Sequence, residues 1–324
     1  MKNFHSFMAP QLDAYLSYRQ SLGYSIKVSR SHLLVFDRYL RQTNAQWSTL
    51  TPFYFLEMRA NLEMESRSVN RVLSSVRGFF HFLLRRQQVK ENPLQDIPPL
   101  KENGIIPFVF SPKQTEQLLQ AVCEKDCRSE KHFLKDLSLY MVIVLLARCG
   151  MRISEPLKLM KNHYRKDDGT LYIEKTKFKK QRLIPVPKAA MTEIENYLSV
   201  RKTLQPHDPN PYLLAGKTLG PLKAEQVRYV FRSALKKIGL DQSRKVIGNM
   251  NFTQPTPHSL RHSFAVNTLM NIRHRGQSPQ SALPVLAAYM GHSEYKYTSV
   301  YLRVADAQSR KNLVDFSLWQ KRKE

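Results

Sequence analysis

The sequence predicts a mainly α-helical protein with one small β-sheet, divided into two domains by a proline-rich linker. Amphipathic helical patterns fill the first 90 of its 324 residues. Residues 91–110 contain four prolines and a glycine, which favour extended chain and mark a boundary. After the boundary most segments again have helical periodicity, but 170–174 alternates and is rich in β-forming residues. We therefore expect domains at 1–90 and 111–324, joined by a linker at 91–110.

Four helices are predicted in the first domain. They cover 7–22, 28–42, a short segment opened by Thr51 and Pro52, and 66–88. The last helix has a broad apolar stripe that is typical of a core face. Its other face carries five arginines, which form either a solvated surface or a surface that faces phosphates: Arg67, Arg71, Arg77, Arg85 and Arg86.

The second domain is predicted to open on a capping box that begins at Ser111. Residues 136–148 are nearly all apolar, so this helix should be buried. The alternating segment 170–174 should pair with 183–186 as a hairpin. Further helices are expected over five segments: 188–202, 223–238, 259–271, 282–290 and 295–304.

The charge balance indicates a polyanionic partner. Lys plus Arg number 51 and Asp plus Glu 26, a net charge of +25, which favours nucleic acid first and an acidic membrane surface second. The longest apolar run, 139–147, is too short to span a bilayer, and the first residues lack the apolar region of a signal peptide. Three cysteines suit a reducing cytoplasm, and Cys123 and Cys127 with His132 lack the ligands of a zinc site. We therefore expect a cytoplasmic protein with neither a metal site nor a membrane span.

Two basic groups stand out in the second domain. Arg152 follows the buried helix and Gly150, so the scaffold should hold it in a fixed place. Five cations crowd the predicted hairpin turn and would repel one another unless a polyanion lies nearby. Four of these five cations are candidate DNA contacts: Lys175, Lys179, Lys180 and Arg182. Arg71 of the first domain is a fifth candidate.

Three further groups carry possible chemistry. His258 and Arg261 are three residues apart and share a helix face, which puts a proton-transfer group beside a phosphate clamp. His292 follows Gly291, and Tyr301 comes nine residues later. Taken alone, a tyrosine on a helix is usually a core or surface residue.

The order and spacing of these elements resemble the tyrosine recombinase family, which includes phage integrases and Xer-type recombinases. Gly150-Met-Arg152-Ile-Ser-Glu155 resembles the family's first arginine box. The hairpin from Thr176 to Pro185 resembles the one that bears the catalytic lysine, and His258-Ser-Leu-Arg261-His262 is similar to the H-x-x-R box. The resemblance covers nearly the whole chain and implies a helical core-binding domain followed by an α+β catalytic domain.

The resemblance implies a metal-free reaction without a cofactor, through a covalent 3′-phosphotyrosine. It implies six catalytic residues: Arg152, Lys177, His258, Arg261, His292 and the nucleophile Tyr301. The chemistry of these side chains suits that reaction, because guanidinium forks match phosphate oxygens and a phenol needs a base to attack. His258 is expected to take the phenol proton, Lys177 to protonate the leaving 5′-oxygen, and His292 to donate a hydrogen bond to the phosphate. Glu155 is expected to be a structural partner.

Three features depart from the family pattern. Lys177 lies between Thr176 and Phe178 instead of two glycines, so Lys175 remains an alternative catalytic lysine. Pro156 replaces the leucine that usually follows Ser-Glu in the arginine box. Residues 271–284 form a longer segment than in compact Xer-type proteins, and this segment is either an extra DNA contact or only a longer loop.

The implied function is site-specific recombination of double-stranded DNA at inverted-repeat core sites by a homo-tetramer, with a heteromeric recombinase partner also conceivable. The task would be integration or excision, or resolution of a mobile element or chromosome dimer. Two alternatives remain: a type IB topoisomerase or telomere resolvase, and a non-catalytic DNA-binding regulator. The apolar C-terminal tail is expected to pack either on its own catalytic domain or on a neighbouring protomer.

Overall fold

The chain folds into two compact units, Met1–Asn103 and Gly104–Glu324. The structure, a computed structural model, describes residues 3–126, 132–174, 181–214, 219–292, 294 and 297–305. Helices make up 59% of it and the sheets are small, so the predicted fold class is confirmed. Within the described residues, no helix combines the length and the apolarity needed to cross a membrane.

The first unit is a cluster of four helices packed around aromatic side chains. Thr51 caps the third helix by accepting a hydrogen bond from the backbone N–H of Tyr54. Rings of Phe36, Phe55 and Phe80 meet at centroid distances of 5.4–6.3 Å in the core. The helices are α1 (Ala9–Ser21), α2 (Lys27–Gln42), α3 (Pro52–Asn61) and α4 (Ser66–Arg85).

The chain that follows α4 packs back on the first unit, although an extended linker is expected here. Leu94 and Ile97 are buried in the core of that unit. Arg77 donates hydrogen bonds to the carbonyl oxygens of both residues, at 2.9 and 2.8 Å. Arg67 forms an ion pair with Glu102 at 2.8 Å. Two arginines of the basic face of α4 therefore hold this segment in place, whereas Arg71 is exposed.

The second unit is built around one apolar helix. Residues 138–146 of this helix, α6 (Phe133–Arg148), are buried apart from the half-buried Tyr140, as their composition predicts. Ser111 and Gln114 form the expected capping box, with reciprocal hydrogen bonds of 2.9 and 3.2 Å. A last helical segment spans 297–305. The helices are α5 (Pro112–Asp126), α6 (Phe133–Arg148), α7 (Lys188–Leu204), α8 (Ala224–Lys237), α9 (Pro257–His274) and α10 (Pro279–Met290).

Two three-stranded sheets belong to the second unit. The first contains the predicted hairpin, in which Ile173 pairs with Arg182, extended by a short strand that the sequence did not predict. Its strands are β2 (Tyr164–Arg165), β3 (Thr170–Ile173) and β4 (Arg182–Pro185). The second sheet was not predicted at all, and it has the order β1-β6-β5 with β1 parallel to β6. Its strands are β1 (Gly104–Ile106), β5 (Lys245–Ile247) and β6 (Met250–Phe252).

Candidate active site

The tight turn after α6 fixes the position of Arg152. Gly150 adopts a φ of +57°, and a Cβ at this position would lie only 2.4 Å from the ring of Phe264. Glycine alone fits, because the left-handed region is open to it and no side chain collides with α9. The chain then turns so that Arg152 donates to the carbonyl oxygen of Gly291 at 2.9 Å.

Arg261 fastens three helices together at the site. Its side chain is 1% exposed, and its guanidinium donates to the carbonyl oxygens of Gly150 (2.7 Å) and Met290. These carbonyls lie at the C-terminal ends of α6 and α10, where the helix dipole favours a cation. Burial and the neighbouring charge of Arg152 lower the pKa of Arg261 to about 10, so it stays charged at neutral pH.

Glu155 joins two arginines beneath the site. Its carboxylate accepts hydrogen bonds from Arg152 Nη1 at 3.0 Å and from Arg182 Nη1 and Nη2 at 3.0 and 2.9 Å. It also accepts the backbone N–H of Arg152 at 2.9 Å. Burial favours the protonated acid, but the hydrogen bonds and charge of Arg182 outweigh it and hold the pKa of Glu155 below its usual range. Glu155 is thus the structural partner that the sequence suggested.

The turn after α10 brings His292 against the last helical segment. Gly291 takes a φ of +64° and lies so close to Arg182 that a Cβ would be 3.1 Å from its Nη1. His292 Nδ1 is hydrogen-bonded to the hydroxyl of Thr298 at 2.7 Å. The His292 ring stacks on Tyr301, with centroids 6.1 Å apart and planes at 27°.

Tyr301 is buried among histidines and only 4% exposed. Its hydroxyl is 3.2 Å from Nδ1 of His262, and the two rings are 5.6 Å apart. The ring of His262 in turn meets His258 edge to face at 4.6 Å. His258 is exposed on the outer side of this group, while His262 is half-buried.

The surroundings keep these groups uncharged. Burial, followed by the nearby charges of His258 and Arg261, lowers the pKa of His262 to about 3. Burial and then Arg261 and Arg152 lower the pKa of His292 to about 4. Burial raises the pKa of the Tyr301 phenol above its usual value. At neutral pH the site therefore combines the guanidiniums of Arg152 and Arg261 with neutral imidazoles and a neutral phenol, above the carboxylate of Glu155.

Comparison with known proteins identifies this arrangement. Residues 109–308 match the model of the phage integrase family, and 11–87 match the N-terminal SAM-like domain of phage integrases. The chain belongs to the phage integrase family. It is a tyrosine recombinase, an enzyme of site-specific DNA breakage and rejoining.

Individual relatives agree along most of the chain. A putative integrase/recombinase of Sinorhizobium fredii is 26% identical over 289 residues, covering 89% of this chain and 90% of the relative. A tyrosine recombinase XerC of Alcanivorax borkumensis is 30% identical over 261 residues, covering 79% and 76%. The fold is similar to that of a lambda integrase dimer bound to a COC′ core site, with a TM-score of 0.66, 18% identity, and coverage of 92% of this chain and 77% of the other.

The structure of this recombinase brings five of the six predicted catalytic residues into one cluster. They come from four separate segments: Arg152, His258, Arg261, His292 and Tyr301. The sixth, Lys177, lies outside the described residues, as do Lys175, Lys179 and Lys180 and the tail beyond residue 305.

Two candidate DNA contacts have very different surroundings. Arg71 is exposed in the first unit of the recombinase. Arg182 is directed inward, because it binds both oxygens of Glu155 and donates to the carbonyl oxygen of Tyr289 at 2.8 Å. Its guanidinium organises the site from below.

No role for His262 was inferred from its residue type or spacing, although its Nδ1 lies 3.2 Å from the hydroxyl of Tyr301. A signal was present: His262 follows His258 by four residues, so both lie on one face of α9.

Among the described residues, no group of three His, Cys, Asp or Glu side chains could hold a metal ion.

Proposed function

We propose that Tyr301 is the nucleophile with which this recombinase attacks DNA. The observation that carries the proposal is that its hydroxyl, alone among the tyrosines near the end of the described chain, lies within a group of histidines and arginines. Tyr297, by contrast, is exposed, and its hydroxyl is directed towards Glu294 at 3.4 Å. The attack would form a bond between the phenolic oxygen and the 3′-phosphate and release the 5′-oxygen.

Arg152 and Arg261 would hold the phosphate. They lie close enough for the charge of each to affect the other, which leaves a strongly positive site that a phosphodiester would neutralise. His258 and His292 line the same site, and each neutral imidazole has a nitrogen that can donate to a phosphate oxygen. The exposure of His258 supports its placement on the side from which DNA arrives.

Lys177 is our candidate for the acid that protonates the leaving 5′-oxygen, with Lys175 as the alternative. Support comes from the hairpin that carries both lysines. Its strands end at the pair Ile173 and Arg182, and Arg182 is bound to Glu155 under the site. The connection between the strands therefore starts next to the phosphate-binding arginines.

The biological reaction that we propose is strand exchange between two duplexes at inverted-repeat core sites, by a tetramer acting in the cytoplasm. The net charge of +25 supports a DNA partner. Structures of a lambda integrase dimer bound to a COC′ core site and of a lambda integrase tetramer bound to a Holliday junction, both similar in fold to this chain, support an assembly of several protomers. Integration or excision, or resolution of an element or chromosome dimer, would use the same chemistry, with or without a second recombinase as partner.

A nicked suicide substrate tests the nucleophile, because loss of the short 5′-fragment traps protein on DNA. Tyr301→Phe should bind the substrate and form no adduct that survives SDS, since only the attacking oxygen is removed. Tyr297→Phe is the matched control and should form the adduct. An adduct with Tyr301→Phe would refute the assignment.

A two-site assay tests the type of reaction. A recombinase should produce exchanged duplexes from a plasmid that carries two core sites, and it should leave a plasmid without sites supercoiled. Relaxation of a plasmid that has no sites, without recombinants, would indicate a topoisomerase instead.

A further inference from the structure

We propose that His262, the neighbour of Arg261 on α9, takes the proton from Tyr301 during attack. This inference rests on the proposed function, since it assigns the base for that nucleophile. It differs from the expectation drawn from the sequence, which gave the role to His258.

Geometry favours His262. Its Nδ1 lies 3.2 Å from the hydroxyl of Tyr301, within the range over which a general base reaches its proton. In the tautomer that carries its hydrogen on Nε2, Nδ1 accepts the phenol hydrogen. This is the hydrogen bond that the described residues give to the hydroxyl of Tyr301.

The other two histidines are placed for other tasks. His258 is exposed and contacts His262 with its ring, so a phosphate arriving from solvent meets His258 first. His292 uses Nδ1 on Thr298, and its ring lies beside the ring of Tyr301 with centroids 6.1 Å apart. Of the three, only His262 has a ring nitrogen directed at the attacking oxygen.

The charges around His262 make the transfer dependent on DNA. It faces His258 and Arg261 on its own helix, His292 from the turn after α10, and Tyr301 from the last helical segment. At neutral pH Arg261 is the cation among these neighbours, and together with burial its charge favours the neutral imidazole, so the proton stays on the phenol. A phosphodiester held by Arg152 and Arg261 would place negative charge beside the imidazole and stabilise its protonated form.

The phenol proton moves to Nδ1 of His262 while the oxygen of Tyr301 bonds to phosphorus. The bond between phosphorus and the 5′-oxygen breaks, and that oxygen takes a proton from the general acid, for which Lys177 is the candidate. The imidazolium then holds the proton needed to restore the phenol when the 5′-oxygen attacks in reverse.

His262→Asn is the most informative substitution. The side-chain amide keeps a polar atom near the position of Nδ1, so it can hold the hydroxyl of Tyr301, but it cannot take a proton at neutral pH. We expect adduct formation on the nicked substrate to slow by about 10²–10⁴-fold at pH 7, the usual contribution of a general base, while DNA binding in gel shifts is unchanged. His207→Asn, an exposed loop position of the same unit, is the control and should match the parent.

The pH dependence separates proton transfer from positioning. In His262→Asn the rate should rise about tenfold per pH unit between about pH 7 and 9, since hydroxide must now remove the proton, and the parent should be flatter. Partial unfolding of the variant would lower the amount of adduct, but the dependence of the rate on pH in the folded fraction would be unchanged. For His262→Ala, added imidazole should restore the rate in proportion to its concentration. A substrate with a 5′-bridging sulfur should restore neither variant, because sulfur relieves only the need for the acid.

Three outcomes would overturn the inference. One is a His262→Asn rate and slope equal to those of the parent, which would reduce His262 to a positioning residue. Another is that His258→Asn, and not His262→Asn, shows the tenfold rise of the rate per pH unit. The third is rescue of His262→Asn by the bridging sulfur, which would make His262 part of the acid pathway. None of these affects the proposed function, which fails separately if the parent forms no adduct through Tyr301.

Discussion

Glu155→Gln tests whether the ion-pair network under the site holds the second unit together. The substitution keeps the shape of the side chain, which is 4% exposed, and removes its charge. A carboxylate accepts four hydrogen bonds here, three of them from guanidiniums. An amide has a single acceptor oxygen, and its NH₂ group would face the donors of Arg182.

The expected cost is large because the partners are also shielded from solvent. The side chains of Arg182 and Arg152 are 11% and 22% exposed. Breaking a buried ion pair by removing one partner costs about 3–5 kcal/mol. For a unit of this size that corresponds to a loss of about 6–20 °C in melting temperature, measured by calorimetry. The control is Glu225→Gln, whose ion pair with Arg228 is 79% and 56% exposed and should contribute at most about 1 kcal/mol.

The pH dependence gives a second readout. The pKa of Glu155 is lowered by folding, so its carboxylate stabilises the protein above the unfolded value of about 4.3 and this stability is lost as the pH falls. The gap in melting temperature between parent and Glu155→Gln should therefore be full at neutral pH and shrink in acid. A Glu155→Gln protein as stable as the Glu225→Gln control, or a gap that does not change with pH, would refute the reasoning.

Three further predictions concern the leaving group, pH and salt. Lys177→Ala should slow cleavage, and a 5′-bridging sulfur should restore it because a thiolate leaves without a proton; rescue of Lys175→Ala instead would move the acid by two residues. The lowered pKa values of His262 and His292, about 3 and 4, mean that the unfolded chain binds more protons below about pH 6.5, so stability should fall by several kcal/mol towards pH 4 in denaturant titrations; a flat curve contradicts this. DNA affinity in gel shifts should fall steeply as salt rises, through counterion release, and a flat response would exclude a phosphate-dominated interface.

The elements with strong local signals could be predicted from the sequence. The apolar composition of α6 predicts a buried helix, and the spacing of Ser111 and Gln114 predicts the capping box. The β3–β4 hairpin follows from alternation. The second sheet has no such signal, because its strands are three residues long and β1 pairs with a segment almost 150 residues further along the chain. Only tertiary packing brings Gly104 beside Met250.

In the candidate site, too, some features could be predicted from the sequence and others depend on tertiary packing. The resemblance to tyrosine recombinases implies which residues gather, because Arg152 lies in the arginine box after a buried helix and Arg261 lies in the H-x-x-R box. Spacing could not predict which partner each side chain chooses. Arg182 was grouped with the lysines of the turn on charge alone, yet the structure commits it to Glu155. The bond between His262 and Tyr301 joins segments 39 residues apart and depends on how the last helical segment packs on α9.

The same choice of partners limits what net charge can say about DNA binding. Arg67 and Arg77 hold the chain after α4, and Arg182 binds Glu155. A cation already satisfied by a protein acceptor releases no counterion unless DNA breaks that contact. The salt dependence of binding should therefore report far fewer phosphate contacts than the net charge of +25 suggests. Exposed cations such as Arg71 can supply the salt-dependent affinity for DNA. Arg182, which is bound to Glu155 under the site, instead keeps the geometry on which attack by Tyr301 depends.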